Sequence, residues 1–126
     1  MILNTDGTKP IYVQIAEWLE TEILNGNFLQ DQKVYSQYQL AEIFNINPAT
    51  AAKGLTLLVE DQILYKKRGL GMFVTEGAKD IILTKRREHT LKRLVSELVS
   101  EAGQLNVGMD ELLEMIRKES RQSKGE

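Results

Sequence analysis

Two helix-start signals, eleven positions apart, constrain the fold of this chain more than any other feature. Ser36 and Gln39 form a capping-box pattern ahead of LAEIF, which predicts a short helix that Asn45 ends. Asn47 can then cap a second helix through its side-chain oxygen, and Pro48 takes the first position, where a missing N–H costs nothing. Two short helices joined by a turn of about three or four residues are typical of a helix-turn-helix.

The two helices of this motif are each predicted to bury one face. The shorter helix is expected to bury Leu40, Ala41, Ile43 and Phe44. The longer helix, over residues 48–60, is expected to bury Ala51, Leu55, Leu58 and Val59. Gly54 in its interior costs about 1 kcal/mol relative to alanine, which predicts a close helix crossing at that point. Its outer face carries little besides Thr50, Lys53 and Thr56.

An earlier helix and a later hairpin complete the predicted domain. IYVQIAEWLETEIL follows a helix start at Thr8-Lys9-Pro10, and its apolar residues recur at intervals of three and four. After the helix-turn-helix, residues 63–66 and 72–75 are short extended runs around a basic tip that contains two glycines. A hairpin in this position is a wing. We therefore expect a mainly α fold with a small β-hairpin: a winged helix-turn-helix over residues 1–76, followed by a two-helix segment over residues 77–126.

The C-terminal segment has a long apolar stripe. One helix is predicted from about Ala78 until Gly103 and the LNVG segment break it, and a last helix over residues 109–119, before a polar tail, RQSKGE, that is expected to fray. Two short helices cannot hide such a stripe, so we expect it to pack against a second copy of the chain; packing against the first domain is the alternative. The predicted dimer residues are Leu91, Leu94, Val95, Leu98, Leu112, Leu113 and Ile116.

The distribution of charge separates the middle of the chain from its ends. The chain has a net charge of -2, but residues 66–93 carry +6, residues 1–65 carry -5 and residues 94–126 carry -3. A polyanion would therefore be bound by the middle of the chain. The alternative is that the charged residues in the middle of the chain are only exposed to solvent and bind no partner.

Several classes of function find no support in the sequence. There is no cysteine, His89 is the only histidine, and there is no glycine-rich phosphate loop, so we expect no enzyme, no metal site and no cofactor. The apolar runs are far shorter than the roughly 20 residues that cross a bilayer, and the first residues lack a signal-peptide pattern, which predicts a cytoplasmic protein without a membrane partner.

The segments PIYVQIAEWL, S-x-x-Q-LAEIF, INPATAAKGL and YKKRGLGMFV together resemble the DNA-binding domain of the GntR family of bacterial transcription regulators. The resemblance covers residues 10–74 without gaps. Asn47-Pro48-x-Thr50, the length and the final helix pair are similar to the YtrA-like branch, in which two short dimerising helices replace the large effector domain. The resemblance implies a homodimeric regulator, a repressor by preference, that binds a palindromic double-stranded DNA operator, often that of a nearby transporter operon that includes its own gene.

Three departures from the family pattern change the expected DNA contacts. Tyr38 stands where the family usually has an arginine, and Pro48 and Ala52 align with further arginines of other branches. We expect small Ala49 and Ala52 to let the helix approach base edges, and Thr50 and Lys53 to contact bases or phosphates. By the resemblance, the wing tip lies in or beside the minor groove. The predicted DNA-binding residues are Ser36, Gln37, Tyr38, Asn47, Ala49, Thr50, Lys53, Lys66, Lys67, Arg68, Gly69 and Gly71.

Four questions stay open at this point. Tyr38 can instead pack on the first helix. The basic residues Lys85, Arg86, Arg87, Lys92 and Arg93 either contact DNA flanks or only keep a helix soluble. A winged-helix module that binds protein without DNA is the main functional alternative, because the chain is acidic overall. A small-molecule effector would have to bind at the dimer interface or between the wing and the helices, because 126 residues leave no room for a sensory domain.

Overall fold

The computed structural model describes residues 3 and 9–124, and within them the chain is mainly helical with one β-hairpin. Thr8, predicted to help start the first helix, and the last two residues of the polar tail lie outside the described residues. The chain divides into two compact units, Met1–Thr84 and Lys85–Glu126. The elements, in chain order, are α1 (Ile11–Leu24), α2 (Gln37–Phe44), α3 (Pro48–Glu60), β1 (Leu64–Lys67), β2 (Gly71–Val74), α4 (Ala78–Lys85), a π-helical turn (Arg86–Leu91), α5 (Lys92–Gln104) and α6 (Met109–Lys124).

The core of the first unit forms where α1 packs on α3. Ile15, Leu19 and Ile23 of α1 are fully buried, as their helical spacing predicts. The crossing occurs at Gly54, as predicted: a Cβ there would lie 2.9 Å from the Tyr12 carbonyl oxygen and 3.3 Å from Ile15. The glycine is therefore required by backbone proximity.

The two helix starts have the predicted caps. Ser36 and Gln39 form both bonds of the capping box, and Asn47 accepts a bond from the backbone of α3 beside Pro48. Asn45 ends α2 in the left-handed conformation with φ 55°, which asparagine tolerates. One prediction of burial is wrong, because Ile43 is 48% exposed. Phe44 and Val59 are half-buried and pack against the core.

Each strand of the hairpin lies one residue closer to the tip than predicted. β1 and β2 pair antiparallel with Leu64 opposite Val74 and Lys67 opposite Gly71, which leaves Arg68, Gly69 and Leu70 at the tip. The first unit also extends beyond Glu76, because Ala78 and Ile82 of α4 belong to its core.

The second unit consists of helices that bury few side chains. α5 ends at Gln104, where Gly103 and the LNVG segment were predicted to break the helix, and Gly103 is its last residue but one. α6 runs on to Lys124, beyond the predicted end at residue 119, so the part of the polar tail that the structure describes is helical instead of frayed. Ala102 and Leu112 are buried, whereas most other apolar residues of α5 and α6 are exposed in the single chain. None of the helices in residues 3 and 9–124 has the length and apolar character that crossing a bilayer requires.

Candidate nucleic-acid interface

The first turn of α3 presents a small, polar surface. The Asn47 side-chain oxygen accepts a bond of 2.8 Å from the Ala49 N–H, which fixes the helix start. Ala49 is exposed, while Thr50 and Ala52 are half-buried. After Asn47 and Pro48, the next four residues are three alanines and one threonine. A flat partner surface could therefore come close to the helix backbone. The N–H groups of Ala49, Thr50 and Ala51 all donate to Asn47, so this end of the helix attracts a negative partner through its dipole and not through free N–H groups.

Lys53 lies one turn further along α3 and is held by an aromatic ring. It is exposed, and its Nζ lies 5.4 Å from the centre of the Tyr12 ring on α1. A cation over an aromatic face gains about 0.5–1 kcal/mol at an exposed site. No carboxylate among the described residues pairs with Lys53. Its charge is therefore positioned but not neutralised.

The start of α2 supplies three of the predicted residues. Ser36 Oγ accepts from the Gln39 N–H at 3.1 Å, so its hydroxyl proton can still be donated to a partner. Gln37 is half-buried. Tyr38 is 68% exposed, so the alternative in which it packs on α1 is wrong. Tyr35 has that role instead, because its ring stacks on Trp18 with centroids 6.1 Å apart.

The wing is the most cationic part of the first unit. Lys66, Lys67 and Arg68 are exposed, and no described carboxylate forms an ion pair with any of them. Lys67 Nζ lies 4.7 Å from the centre of the Phe73 ring. Gly69 has φ +78° with open space around it, a turn conformation that glycine adopts without strain.

Gly71 has a positive φ and a lysine side chain close beside it. The prediction was that it lets DNA approach the backbone. Its φ is +121°, and a Cβ would lie 2.8 Å from Cε of Lys33, so the space beside it is already filled by a lysine stem.

A hydrogen bond between loop and hairpin lies at the base of the wing. The Tyr65 hydroxyl donates to the Asp31 carboxylate at 2.7 Å. This bond, with smaller contributions from burial and from the negative charge of Asp31, raises the pKa of Tyr65 above its usual value. The phenol therefore stays protonated and ties the loop before α2 to β1.

Two residues of this surface, Lys33 and Tyr12, were not predicted. Both act across elements that are distant in the sequence, so neither has a local pattern that would identify it. The second basic run is less uniform than the wing: Arg93 pairs with Glu97 at 2.8 Å, while Arg87 and Lys92 are exposed. The predicted interface residues thus form three surfaces on the first unit, at the starts of α2 and α3 and on the wing.

Comparisons with known proteins give a consistent result. No family model matches the chain. The chain is 30% identical over 123 residues, 98% of its length and 94% of the relative's, to the HTH-type transcriptional repressor YtrA of Bacillus subtilis. It is 38% identical over 76 residues to the repressor NagR of the same organism, but that match spans only 31% of NagR.

Solved structures agree in fold. A GntR family transcriptional regulator from Listeria monocytogenes superposes with a TM-score of 0.70 at 28% identity, covering 90% of this chain and 97% of that one. The DNA-binding domain of AraR in complex with an operator gives 0.55 at 29% identity, covering 60% of this chain and 95% of that one. With a repressor matched over nearly its full length, the chain belongs to the GntR family of transcription regulators, in its YtrA-like branch.

Proposed function

We propose that this protein represses transcription by binding a palindromic double-stranded DNA operator as a homodimer in the cytoplasm. The proposal depends mainly on the first half of α3, where Lys53 is exposed next to small side chains and forms no ion pair with a described carboxylate. The family membership and the operator complex of the AraR domain support DNA as the partner.

In the proposed complex, α3 lies in the major groove with its first two turns against base edges. Ala49 is small enough to contact a thymine methyl group, and Thr50 can donate to a base or phosphate. Lys53, held by the Tyr12 ring, reaches a guanine edge or a phosphate. Asn47 keeps its amide N–H groups for a phosphate, because its oxygen is engaged by the helix cap.

The remaining predicted contacts surround that helix. Ser36, Gln37 and Tyr38 lie at the start of α2 and would contact the sugar-phosphate backbone. The tip of the wing would enter the minor groove, with Arg68 in the narrow part of the groove. Gly69 would allow close approach there, because no atom of the protein lies within 4 Å of its side-chain position.

The homodimer is proposed from the second unit. Leu91, Leu94, Val95, Leu98, Leu113 and Ile116 are all exposed in the single chain. An apolar face of this kind is stabilised by burial against a second copy, and two copies would read half-sites about 34 Å apart, one helical turn of DNA. Leu112 leaves the proposed interface, since it is only 4% exposed and packs within its own chain. Residues 1–76 would thus bind DNA, and within residues 77–126 the part after α4 would dimerise, because α4 belongs to the core of the first unit.

A small-molecule effector would need a site in one of the two units. The first unit has a cavity of about 340 Å³ between the end of α1, the loop after it, the end of β2 and the start of α4. Phe28, Leu29 and Val74 give it apolar walls, while Lys79 and Asp80 lie at its polar side. An effector bound there would contact a strand of the wing, which is how it could alter DNA binding.

Salt dependence tests the proposal. Operator sequences are first selected from random duplex DNA with the purified protein, and binding is then measured by fluorescence anisotropy over a series of salt concentrations. We expect log K to fall linearly with log salt, with a slope of about -0.9 per phosphate neutralised. A flat salt profile, or failure to enrich any sequence, would favour the protein-interaction alternative.

The Lys53→Ala variant tests the α3 assignment. We expect a loss of ~1–3 kcal/mol in operator binding with little change in melting temperature, because the side chain is exposed. Lys79→Ala, measured without any added effector, is the control, since it removes an exposed lysine of the same unit outside the proposed DNA-contacting surfaces. Equal affinities for wild type and Lys53→Ala would show that α3 is not the reading element.

A further inference from the structure

The loop between α1 and α2 pairs with the outer edge of β2 at one position. Lys33 makes a single antiparallel bridge with Phe73 of β2. Backbone bonds on either side hold this alignment: the Val34 N–H donates to the Met72 carbonyl at 2.9 Å, and the Val74 N–H donates to the Gln32 carbonyl at 3.0 Å. The position of Lys33 relative to the hairpin is therefore fixed by the backbone.

Lys33 faces the same side of this small sheet as Lys67. Partners across a sheet share a face, and residues alternate along a strand, so Lys33 shares a face with Phe73, Tyr65, Lys67 and Gly71. Two contacts agree with this arrangement: the Tyr65 and Phe73 rings stack with centroids 5.8 Å apart, and Lys67 Nζ lies over Phe73. The opposite side is the core side, where Val34 and Val74 are buried.

The Lys33 side chain extends along this face towards the wing tip. Its Cε and Nζ lie 2.8 and 3.6 Å from the position that a Cβ on Gly71 would occupy. Lys67 is the direct partner of Gly71 in the hairpin. The glycine is thus bordered by lysines on both sides, and its missing side chain leaves the path open for the Lys33 stem.

The charge of Lys33 is not neutralised within the described residues. It is exposed and forms no ion pair with any carboxylate there. Asp31, the acid on the same face, lies towards the base of the hairpin and accepts the Tyr65 hydroxyl bond. The face therefore has an acid engaged at its base and two lysines without an ion-pair partner, Lys33 and Lys67, on the two strands or loops that flank Gly71.

We propose that Lys33 is a fourth cation of the wing and, with Lys67, binds a DNA phosphate where the wing enters the groove. This inference rests on the proposed DNA binding and adds a contact from outside the hairpin. A phosphate between two lysines is held by charge and not by base sequence, so Lys33 should contribute to affinity for any duplex. Gly71 serves this arrangement by admitting the lysine stem.

The test compares Lys33→Met with Lys33→Arg in the full-length chain. Methionine keeps a long stem beside Gly71 and removes the charge, whereas arginine keeps the charge. We expect Lys33→Met to weaken binding by about fivefold or more, equally for selected and random duplexes, and to reduce the magnitude of the salt slope by about 0.9. Lys33→Arg should retain the wild-type slope. Lys118→Ala, which removes an exposed lysine of α6, should leave both quantities unchanged.

Each outcome has a distinct meaning. If Lys33→Met binds with the wild-type slope and affinity while the wild type shows a normal salt dependence, the phosphate contact is wrong but DNA binding stands. A wild type without salt dependence would overturn the proposed function itself. An affinity loss in Lys33→Met with an unchanged slope, or with a lower melting temperature by Trp18 fluorescence, would assign Lys33 a structural role and overturn the inference.

Discussion

The two compact units of the chain use their apolar residues in different ways. In the first unit, the large apolar residues of α1 and α3 that face inward, such as Ile15, Leu19 and Leu58, are fully buried. In the second unit, Leu94 and Leu98 have the same helical spacing but remain exposed, by 48% and 41%. Similar periodic patterns thus have different outcomes in one chain.

The difference shows that the spacing of apolar residues does not determine how a helix packs. An apolar stripe predicts a helix with a face to bury, but not what will cover that face. In the first unit, neighbouring helices cover it. In the second unit, Ala102 of α5 and Leu112 of α6 are buried but most of the apolar stripe is exposed, so the surface that covers the stripe has to come from elsewhere. The stability of the first unit should therefore not depend on protein concentration, whereas the stability of the second unit should depend on binding its partner.

The largest expected effect is from Leu98→Asp, which places a charge in the centre of the exposed stripe. Burying an unpaired carboxylate in an apolar interface costs several kcal/mol, and a two-fold interface would contain it twice. We expect dimer dissociation to become at least ~100-fold more favourable, as a loss of about 3 kcal/mol implies. Sedimentation analysis measures the monomer–dimer equilibrium, and affinity for a two-half-site operator should fall with it.

Ser100→Asp is the matched control, because it adds the same charge on the opposite face of α5. Trp18, the only tryptophan, lies in the first unit, so its fluorescence reports whether that unit stays folded. A Leu98→Asp protein that remains dimeric would move the interface elsewhere. If the wild type is monomeric and the Leu98→Asp variant loses the Trp18 signal, the result would instead support packing of these helices against the first unit.

A smaller effect is expected from Gly54→Ala in the first unit. The added Cβ would meet the Tyr12 backbone oxygen at 2.9 Å, and backbone cannot move aside as a side chain end can. Overpacking of this kind costs about 1–3 kcal/mol, which exceeds the gain of about 1 kcal/mol from better helix propensity. We expect a lower melting temperature by Trp18 fluorescence and an unchanged dimer. A stabilised variant would show that α1 can shift away from α3.

Local signals in the sequence were sufficient for most of the fold. The capping box at Ser36, the start at Pro48 and the apolar spacing of α1 each depend on residues within a few positions, and all three elements begin where predicted. The end of α6 was predicted too early, since the polar tail is a weak helix terminator when the preceding residues favour a helix, whereas α5 ends where Gly103 and the LNVG segment predict it. The π-helical turn had no signal in the sequence.

The candidate site was less accessible to prediction because part of it depends on tertiary pairing. Lys33 looks like an isolated loop lysine until its bridge to Phe73 is known. Tyr12 appears as one more residue of an amphipathic helix, yet its ring lies beside Lys53. By contrast, Lys66, Lys67 and Arg68 were found because they are consecutive and flank a glycine turn. Contacts between distant segments require coordinates.

The smallest effect should be from Gly103→Ala in the second unit, the same substitution as in α3 but in the opposite setting. Gly103 lies inside α5, and no atom lies within 4 Å of the Cβ position, so alanine meets no obstacle there. Alanine is also the better helix former by up to ~1 kcal/mol, and somewhat less near a helix end. We expect slightly stronger dimerisation or a higher helix melting temperature by circular dichroism, with the Trp18 transition unchanged. Weaker dimerisation would mean that a partner helix crosses α5 at Gly103 as closely as α1 crosses α3 at Gly54. Both units would then depend on close helix packing at a glycine, and in the second unit the neighbouring helix would belong to another chain.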